Sequence, residues 1–564
     1  MLKWMLPGAL MVLLSSGCGG NATSESPNDT ETADASTTTG EDAGDDGEDI
    51  VETEPALCVG LTVDEGGTCV PMPTGPNACT TANCPSFAVQ LACMDKDNSG
   101  YHDDADESAI LVDANWALFP EGDGTEETPY GSIQEALEVA QDGDTIAIAG
   151  NEASYRESIT LANLANITLL GPGVCDGKNG VTLHGEAADA TVHLLDMPGA
   201  RVEGFEIRGN GIAVHLEGNA ENTRIQGNKL TQMGSDGVRL TNVQATGCEI
   251  AGNLIRNSLG SACGVRFLGG AGGTLSGNEI RSIIGAGVCA TDSVDFVLTK
   301  NTIHSNQSVG IALSGAAGAI HDNTLRENTQ GGVVVHGAGA GTTTLVGNRI
   351  QDNGDFGVLY APGDEPAGGN GVEVRHNLIS SEPDAPQSIG VMFPDETPEF
   401  TVSNCEITGM AGPGILTRGD HVGVPSSVVP SGDTPSQIAR NVIEGTQVAG
   451  IHISGVLGMV LSDNRIVGVT GLEGSPPSAG VIGIQSSLLV QGGALLDCDR
   501  FGAVFEKSKA ALNAVEFSGN IDDVGCTDPA CTTIQHTSGS PVTDVDLLPN
   551  DFEVLPGDDF IPTP

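Results

Sequence analysis

The chain has 564 residues, which is enough for more than one domain, and it carries 75 acidic residues against 22 Lys and Arg, for a formal net charge of −53. This acidic excess excludes a general nucleic-acid role and disfavours binding to anionic membrane surfaces. Aromatic residues are scarce at 3%, whereas the 79 glycines indicate a turn-rich chain and the 14 cysteines are typical of an exported protein.

The first segment has the composition of an export signal. An apolar stretch at residues 5–14 follows Lys3 and ends in Leu-Ser-Ser-Gly before Cys18. This ending resembles a bacterial lipoprotein signal, although Ser15 stands where that signal has Leu. The resemblance implies cleavage after residue 17, lipid on Cys18 and durable anchoring, and Gly19 favours the outer membrane or cell surface. An ordinary secretion signal is the alternative.

An acidic segment comes next, at residues 18–57. It has twelve Asp and Glu, no Lys or Arg, and many Ser, Thr, Gly and Ala. Such a segment cannot bury enough apolar surface to fold, and its like charges keep it extended. We therefore predict a disordered tether that lifts the folded part off the membrane.

A short segment at residues 58–108 is dense in cysteine. Its five cysteines are Cys58, Cys69, Cys79, Cys84 and Cys93. In an exported chain this density predicts a disulfide framework, although the spacing does not determine the pairing. Because five is odd, one of these cysteines pairs elsewhere or stays free.

The end of this segment, residues 95–106, has the spacing of a calcium loop. Oxygen-bearing residues and one central glycine, Gly100, recur at the positions that bring ligands onto a hard cation. The loop resembles EF-hand-like and thrombospondin type 3 loops, although its last ligand position holds Asp and not Glu. The predicted ligands of a structural Ca²⁺ are Asp95, Asp97, Ser99, Tyr101, Asp103 and Asp106. A plain acidic turn is the alternative.

A single short helix is predicted just before the repeats begin. Ser132-x-x-Glu135 forms a capping box, and Ile133, Ala136 and Leu137 give the helix one apolar face. We expect this helix to cover the open N-terminal end of the structure that follows, where apolar core and strand edges would otherwise be exposed.

A repeated phrase, Asn-x-(Ile/Leu) followed by Gly-(Val/Ile)-x-apolar, organises the chain between residues 228 and 466. Its asparagines recur every 22 to 29 residues, with one gap of 37, at Asn228, Asn253, Asn278, Asn301, Asn323, Asn348, Asn377, Asn404, Asn441 and Asn464. A fixed period in this range indicates a solenoid. The alternation of apolar and polar residues and the Ile and Val content indicate strands, and the coils leave no room for helices.

The physical interpretation is an all-β parallel β-helix over residues 109–525. Each coil supplies two or three short strands, and coils stack at about 4.8 Å. Ile and Val form the core, and the asparagines align as an inward ladder. At Asn404 the phrase is slipped by one residue. Residues 526–564 are predicted to be a C-terminal cap and tail, with Cys526 and Cys531 clipping a closing loop.

The repeated motif resembles the repeats of the right-handed parallel β-helix repeat proteins, which are related to pectate lyases. The resemblance extends to residues 125–173, where the predicted helix and first strands have the kind of sequence with which many such proteins begin. The implied fold is a right-handed parallel β-helix with an N-terminal capping helix. This fold hosts many functions, so it identifies none. Long insertions predict functional loops at residues 361–370, 380–387, 418–436 and 471–478.

One set of basic residues stands out when the coils are stacked on their repeats. The predicted ligand-binding residues are Arg256, Arg281, His304 and Arg326 on one strand position, with Arg239 and Arg266 on the adjacent strand. Neighbouring like charges repel unless they are compensated, and Glu279, Asp322 and Glu327 are the candidates for that role. The set predicts a site for an anion such as an acidic sugar, or else a solvated face of mixed charge.

No specific catalytic motif accompanies these residues. The family resemblance implies that a lyase would use Arg or Lys as its base, for which Arg256, Arg281 and Arg266 are the candidates. The acidic field of the chain opposes binding of polyuronates, and the few aromatic residues give little surface for stacking on sugars. The preferred hypothesis is a non-catalytic surface lipoprotein whose rigid β-helix serves adhesion, envelope or glycan interaction. The alternative is a polysaccharide lyase or glycoside hydrolase.

Overall fold

The computed structural model describes residues 62–64, 69–71, 93–95, 99–118, 122–150, 154–173, 180–186, 189–260, 262–338, 341–361, 371–382, 387–394, 400–422, 425, 436–471, 478–526 and 545–547. The chain divides into two units, Met1–Pro85 and Ser86–Pro564. In the first unit, the strands Thr62–Asp64 and Cys69–Pro71 pair in antiparallel fashion. The predicted signal segment and the acidic tether lie outside the described residues.

The second unit is the predicted right-handed parallel β-helix, in which each coil contributes strands to three faces. Face A carries the strands that follow the repeat glycine, face B the next strands along the chain, and face C the strands that follow the repeat asparagine. Faces A and B are joined where three long strands, Val238–Ala251, Val265–Ser276 and Val309–His321, run from one face to the other. The predicted fold class is therefore confirmed.

The remaining strands divide among the three faces as follows. Face A contains Ile159–Ala162, Ala190–Leu195, Ile212–Asn219, Val288–Thr291, Gly331–Ala338, Phe356–Ala361, Ile389–Phe393, Ile415–Arg418, Ala449–Ser454, Ala479–Ile484, Phe501–Glu506, Asp522–Cys526 and Val545–Leu547. Face B contains Ile110–Val112, Thr145–Ile148, Thr168–Leu170, Arg201–Glu203, Arg224–Gln226, Val294–Thr299, Thr343–Val346, Val372–Arg375, Phe400–Ser403, Gln437–Ala439, Met459–Ser462, Ser487–Gln491 and Lys509–Asn513. Face C contains Ser154–Tyr155, Val181–Gly185, Phe205–Gly209, Lys229–Met233, Leu254–Arg256, Glu279–Arg281, Thr302–His304, Thr324–Arg326, Arg349–Gln351, Leu378–Ser380, Glu406–Thr408, Val442–Glu444, Arg465–Val467, Ala494–Leu496 and Glu516–Ser518.

Two short helices precede the regular coils. The 3₁₀ helix Ala114–Leu118 is followed by the α-helix Ile133–Val139, whose three predicted apolar residues are buried in the main core. Ser132 accepts the N–H of Glu135, as the capping box requires, and Glu157 accepts the N–H groups of the first helical turn. Among the described residues, no helix has the length and apolar character needed to span a membrane.

The interior is one continuous apolar core, mostly aliphatic with some Phe and Tyr, and it has polar ladders at its corners. From Asn228 to Asn377, each ladder asparagine donates its side-chain amide to a backbone carbonyl of the preceding coil, and all but Asn377 also donate to the side-chain oxygen of the next asparagine. Buried amide groups are thereby satisfied along the stack, which a core position requires. The inward asparagine ladder is confirmed.

The slipped repeat shows how the ladder tolerates an exception. Asn404 was predicted as its asparagine, but Cys405 occupies the ladder position, and its N–H donates to the side-chain oxygen of Asn441. The Cys405 thiol lies 3.6 Å from the carbonyl of Val374, where the other ladder members place an amide. Asn404 instead has a φ of 53°, a left-handed conformation that asparagine adopts readily.

The repeat glycines have a packing role. They stack on one another across coils, and a Cβ added to Gly310 would meet the carbonyl oxygen of Gly332 at 2.8 Å and a methyl group of Leu325 at 2.9 Å. Their φ angles are not positive, so the requirement comes from the close approach of coils and not from backbone conformation.

The described cysteines include both disulfide-bonded and free residues. Cys93 and Cys526 each take part in a disulfide whose other cysteine lies outside the described residues. The disulfide Cys263–Cys289 joins neighbouring coils of face A with a Cα–Cα distance of 6.0 Å. Cys248, Cys405 and Cys498 are buried and free. The strand Val545–Leu547 pairs in parallel with Asp522–Cys526, so the stack continues into the region predicted as cap and tail.

Candidate functional site

The face C ladder consists of the four residues Arg256, Arg281, His304 and Arg326. They lie directly opposite one another on neighbouring strands, in the predicted register. Because the neighbouring residues of each strand, such as Ile280, point into the core, these four side chains point outward. A row of basic groups at the strand spacing is thus held on a rigid surface.

Carboxylates compensate only part of this ladder. Glu279 lies 2.7 Å from the Arg281 guanidinium and 3.5 Å from His304, and Glu327 lies 2.6 Å from Arg326. These two acids have the compensating role that the sequence predicted for them. The third, Asp322, does not, because it pairs with His321 on another face.

Arg256 differs from its neighbours on the ladder. It takes part in none of the ion pairs between described residues, and its Nε is buried without a hydrogen-bond partner. On one side it has Arg281 and on the other Thr231, neither of which supplies a negative charge. Since a buried guanidinium nitrogen is costly to leave unsatisfied, this position favours an anionic ligand.

Asp236 organises the predicted pair on face A, Arg239 and Arg266. Its fully buried carboxylate accepts hydrogen bonds from the Nε of Arg239 at 2.6 Å and of Arg266 at 2.9 Å. The N–H of Cys263 also donates to it, at 2.8 Å. Sequence reasoning missed this residue, although Asp236 stands three residues before Arg239, next to the repeat glycine.

Arg239 and Arg266 belong to a longer row of outward residues, which we call the outer column of face A. Each member lies opposite the next on neighbouring strands. In order along the stack the column reads His193, His215, Arg239, Arg266, Cys289, Ala312, Val334, Leu359, Met392, Leu416, His452, Ile482 and Val504. The first four residues of the column are His or Arg, and the residues from Val334 onward are apolar except His452. The Cys263–Cys289 disulfide lies between these two parts.

The two histidines at the start of the column form a stacked pair. Their ring centroids lie 4.7 Å apart with an interplanar angle of 7°, and Nε2 of His193 lies 3.3 Å from a carboxylate oxygen of Glu217. His215 Nε2 lies 3.0 Å from the hydroxyl of Thr241. Burial, and then the neighbouring His193, lower the pKa of His215 to about 4.

The calcium-type loop is docked against the first coils. Gly100 accepts a hydrogen bond from the N–H of Gly150, and Asp104 forms an ion pair with Arg201 at 3.1 Å. Asp95 is buried; one of its oxygens accepts the N–H of Gly100, and the other has no hydrogen-bond partner among the described residues.

The other predicted calcium ligands differ from one another in exposure and in hydrogen bonding. Asp106 is exposed and accepts hydrogen bonds from Ser108, while the Ser99 hydroxyl lies near the carbonyl of Tyr101. Asp103 is exposed, and its N–H donates to the carbonyl of Met94. Asp97 lies outside the described residues. At least half of each predicted functional loop also lies outside them, within the second half of the solenoid.

Comparison with known proteins supports the fold and goes no further. Residues 210–379 match the family described as right handed beta helix region. No curated protein matches the chain.

Among solved structures, the catalytic unit of a GH87 alpha-1,3-glucanase from Streptomyces thermodiastaticus is 15% identical, with 79% of this chain and 71% of that chain covered and a TM-score of 0.32. A mutant tailspike protein of E. coli bacteriophage HK620, in complex with a pentasaccharide, is 12% identical, with 73% and 79% covered and a TM-score of 0.37. The A-module of the mannuronan C-5 epimerase from Azotobacter vinelandii is 13% identical, with 65% and 91% covered and a TM-score of 0.27.

Proposed function

We propose that this right-handed parallel β-helix is the rigid part of an exported, lipid-anchored surface protein that binds acidic glycans for adhesion or envelope contact without turning them over. The observation that carries the proposal is Arg256, a basic residue without a carboxylate partner among the described residues, in register with Arg281 and His304. A carboxylate or sulfate group of a glycan would supply the missing charge. The stacked strands hold the basic groups in place before binding, which lowers the entropy lost on association.

The field of the whole chain shapes how such binding occurs. At a net charge of −53, an anionic glycan is not attracted from a distance. Binding then depends on contacts made within the ladder, where the Debye length of about 8 Å at physiological salt screens remote acids. We expect modest affinity and specificity for the spacing of charged groups along the glycan.

The ion pairs of the ladder favour binding over catalysis. Arg281 is paired with Glu279, and Arg239 and Arg266 are both paired with Asp236. A guanidinium held by a carboxylate is kept as a cation, a form that cannot accept a proton from a substrate. Two of the three lyase-base candidates, Arg281 and Arg266, are therefore poorly placed for that role.

The alternative, a polysaccharide lyase, depends on Arg256. It is the one catalytic candidate of the three that no carboxylate engages among the described residues. In this alternative Arg256 removes the proton α to a uronate carboxylate, and Arg281 neutralises that carboxylate.

A binding and turnover assay separates these functions. The purified chain is tested against acidic and neutral polysaccharides with calcium present, following both retention on immobilised glycan and the absorbance of unsaturated products. We expect retention of acidic glycans that Arg256→Ala weakens, without turnover. The control is Arg375→Ala, which removes the same charge from an exposed ion pair on face B.

Three outcomes would count against the proposal in different ways. Turnover that Arg256→Ala abolishes would establish the lyase instead. Retention that Arg256→Ala and Arg375→Ala reduce equally would mean that only overall charge matters. No retention of any glycan would remove the ladder as a binding site.

We further propose a structural role for calcium in the loop at residues 95–106. Its support is the unpartnered, buried oxygen of Asp95, since a hard cation is a suitable partner for such an oxygen. Calcium would then fix the loop against the first coils, where Gly100 and Asp104 already make contacts. We expect calcium to raise the unfolding temperature of the wild type and not that of Asp95→Asn; an equal rise in both would count against the site.

A further inference from the structure

His193, His215 and Glu217 bring together two imidazoles and a carboxylate on the outside of face A. The two histidines lie opposite each other on neighbouring strands, and Glu217 follows His215 on the same side of its strand. The ligand atoms of the three side chains all lie within 4.8 Å of one another. Because the backbone positions are set by the stacked coils, this convergence is built into the fold.

The distances between the ligand atoms suit a metal ion once the two imidazole rings turn toward it. A tetrahedral zinc ion bonded at about 2.1 Å holds its ligand atoms about 3.4 Å apart. His193 Nε2 and the Glu217 carboxylate already lie 3.3 Å apart. To complete a three-ligand set, the two imidazole rings, which are stacked with an interplanar angle of 7°, must turn so that a nitrogen of each points at the same ion.

A second observation favours a ligand at this place. His193 Nε2 is buried and makes no hydrogen bond with a described residue, although the Glu217 carboxylate is nearby at 3.3 Å. A buried ring nitrogen without such a partner is costly, and a metal ion would satisfy it.

We propose that His193, His215 and Glu217 bind one divalent transition-metal ion, of the zinc or copper class. Imidazole ligands select such ions over calcium, which prefers oxygen ligands alone. The nearby positive charge of Arg239 opposes a cation, but that charge is already paired with Asp236.

The test uses the purified full-length chain without a histidine tag, stripped with chelator and kept in excess calcium to fill oxygen-only sites. Zn²⁺ binding is measured by calorimetry, and Cu²⁺ is used as a probe for nitrogen ligands by electron paramagnetic resonance. We expect one tight ion per chain, with the signature of two imidazole nitrogens.

Two variants and one control locate the ion. Loss of a group that merely orients a ligand costs about 10- to 100-fold in metal affinity, so loss of a ligand should cost at least tenfold. We expect this weakening in His215→Ala and in Glu217→Gln, which keeps the shape of the side chain. The control is His321→Ala, because His321 also pairs with a carboxylate, that of Asp322 at 3.1 Å, but has no second histidine beside it.

The possible results are distinct. Weakened binding in both variants, with unchanged binding in the control and unchanged thermal unfolding, supports the site. Absence of tight binding in the wild type overturns it, as does equal affinity in His215→Ala and the wild type. Binding that only His321→Ala abolishes would also overturn it.

Discussion

The two halves of the outer column of face A differ although the coils beneath them are alike. In the first half the column carries His193, His215, Arg239 and Arg266; in the second it carries apolar residues from Val334 to Val504, interrupted by His452. The inward residues are predominantly apolar in both halves. The repeat therefore constrains the interior strongly and leaves the outer surface free to diverge.

The outer side chains are charge-paired in the first half and buried in the second. In the first half, charge is balanced locally, as when Asp236 holds Arg239 and Arg266. In the second half, Leu416 and His452 are fully buried although their strand positions face away from the main core. A second apolar layer thus lies outside the solenoid core, in the half whose strands are separated by the long insertions.

The largest effect is expected from removing a side chain in the apolar half. Leu416→Ala should lower the free energy of unfolding by about 2–5 kcal/mol, because it leaves a cavity in a fully buried layer. Chemical denaturation followed by circular dichroism measures this change. A loss below about 1 kcal/mol, the range of surface sites, would mean that the outer layer is not packed.

The boundary between the halves is tested by its disulfide. Replacing both Cys263 and Cys289 by alanine should cost about 3 kcal/mol, because the bridge closes a loop spanning 26 residues and restricts the unfolded chain. The same denaturation experiment, without reductant, measures the effect. An unchanged midpoint would show that stacking alone holds these two coils in register.

Acid should destabilise the apolar half through His452. Burial, and then the charge of Arg418, lower the pKa of His452 to about 4, from an ordinary value near 6.5 that the unfolded chain retains. The unfolded state therefore binds the proton first as pH falls. Stability is fully present above about pH 6.5 and falls toward pH 4, by up to about 1.4 kcal/mol per pH unit for this histidine.

His452→Leu should flatten that dependence, because leucine matches its column neighbours and does not titrate. Denaturation midpoints at several pH values between 4 and 7 measure the slope. His215→Leu is the matched variant in the basic half, where the pKa is also lowered to about 4 but the side chain is only partly buried. Identical slopes in His452→Leu and the wild type would contradict the assignment.

The smallest effect is expected on the face C ladder. Arg326→Ala removes an ion pair with Glu327 in which both side chains are partly exposed, and such pairs contribute about 0–1 kcal/mol. Its unfolding midpoint should stay close to that of the wild type. A cost as large as that of Leu416→Ala would contradict the view that the basic rows are available for ligands and not needed for folding.

Much of this architecture could be predicted from the repeated phrase. The spacing of Asn-x-Ile indicated the coils, and stacking those phrases placed Arg256, Arg281, His304 and Arg326 in their observed register. The prediction worked because one coil's strand must lie on the next, so a sequence period becomes a spatial one. It was wrong at Asn404, where the phrase was ambiguous by one residue and Cys405 took the ladder position.

What the sequence determined by itself is the β-helix, its core and its register, because these repeat from coil to coil. Only the tertiary structure decided which outward groups compensate one another, as with Asp236 between two arginines and Asp322 turned to His321 instead. It also decided that His193, His215 and Glu217 meet, and that His452 is buried. These contacts depend on the direction in which each side chain points and on which residues cover the outer surface. Neither feature repeats from coil to coil.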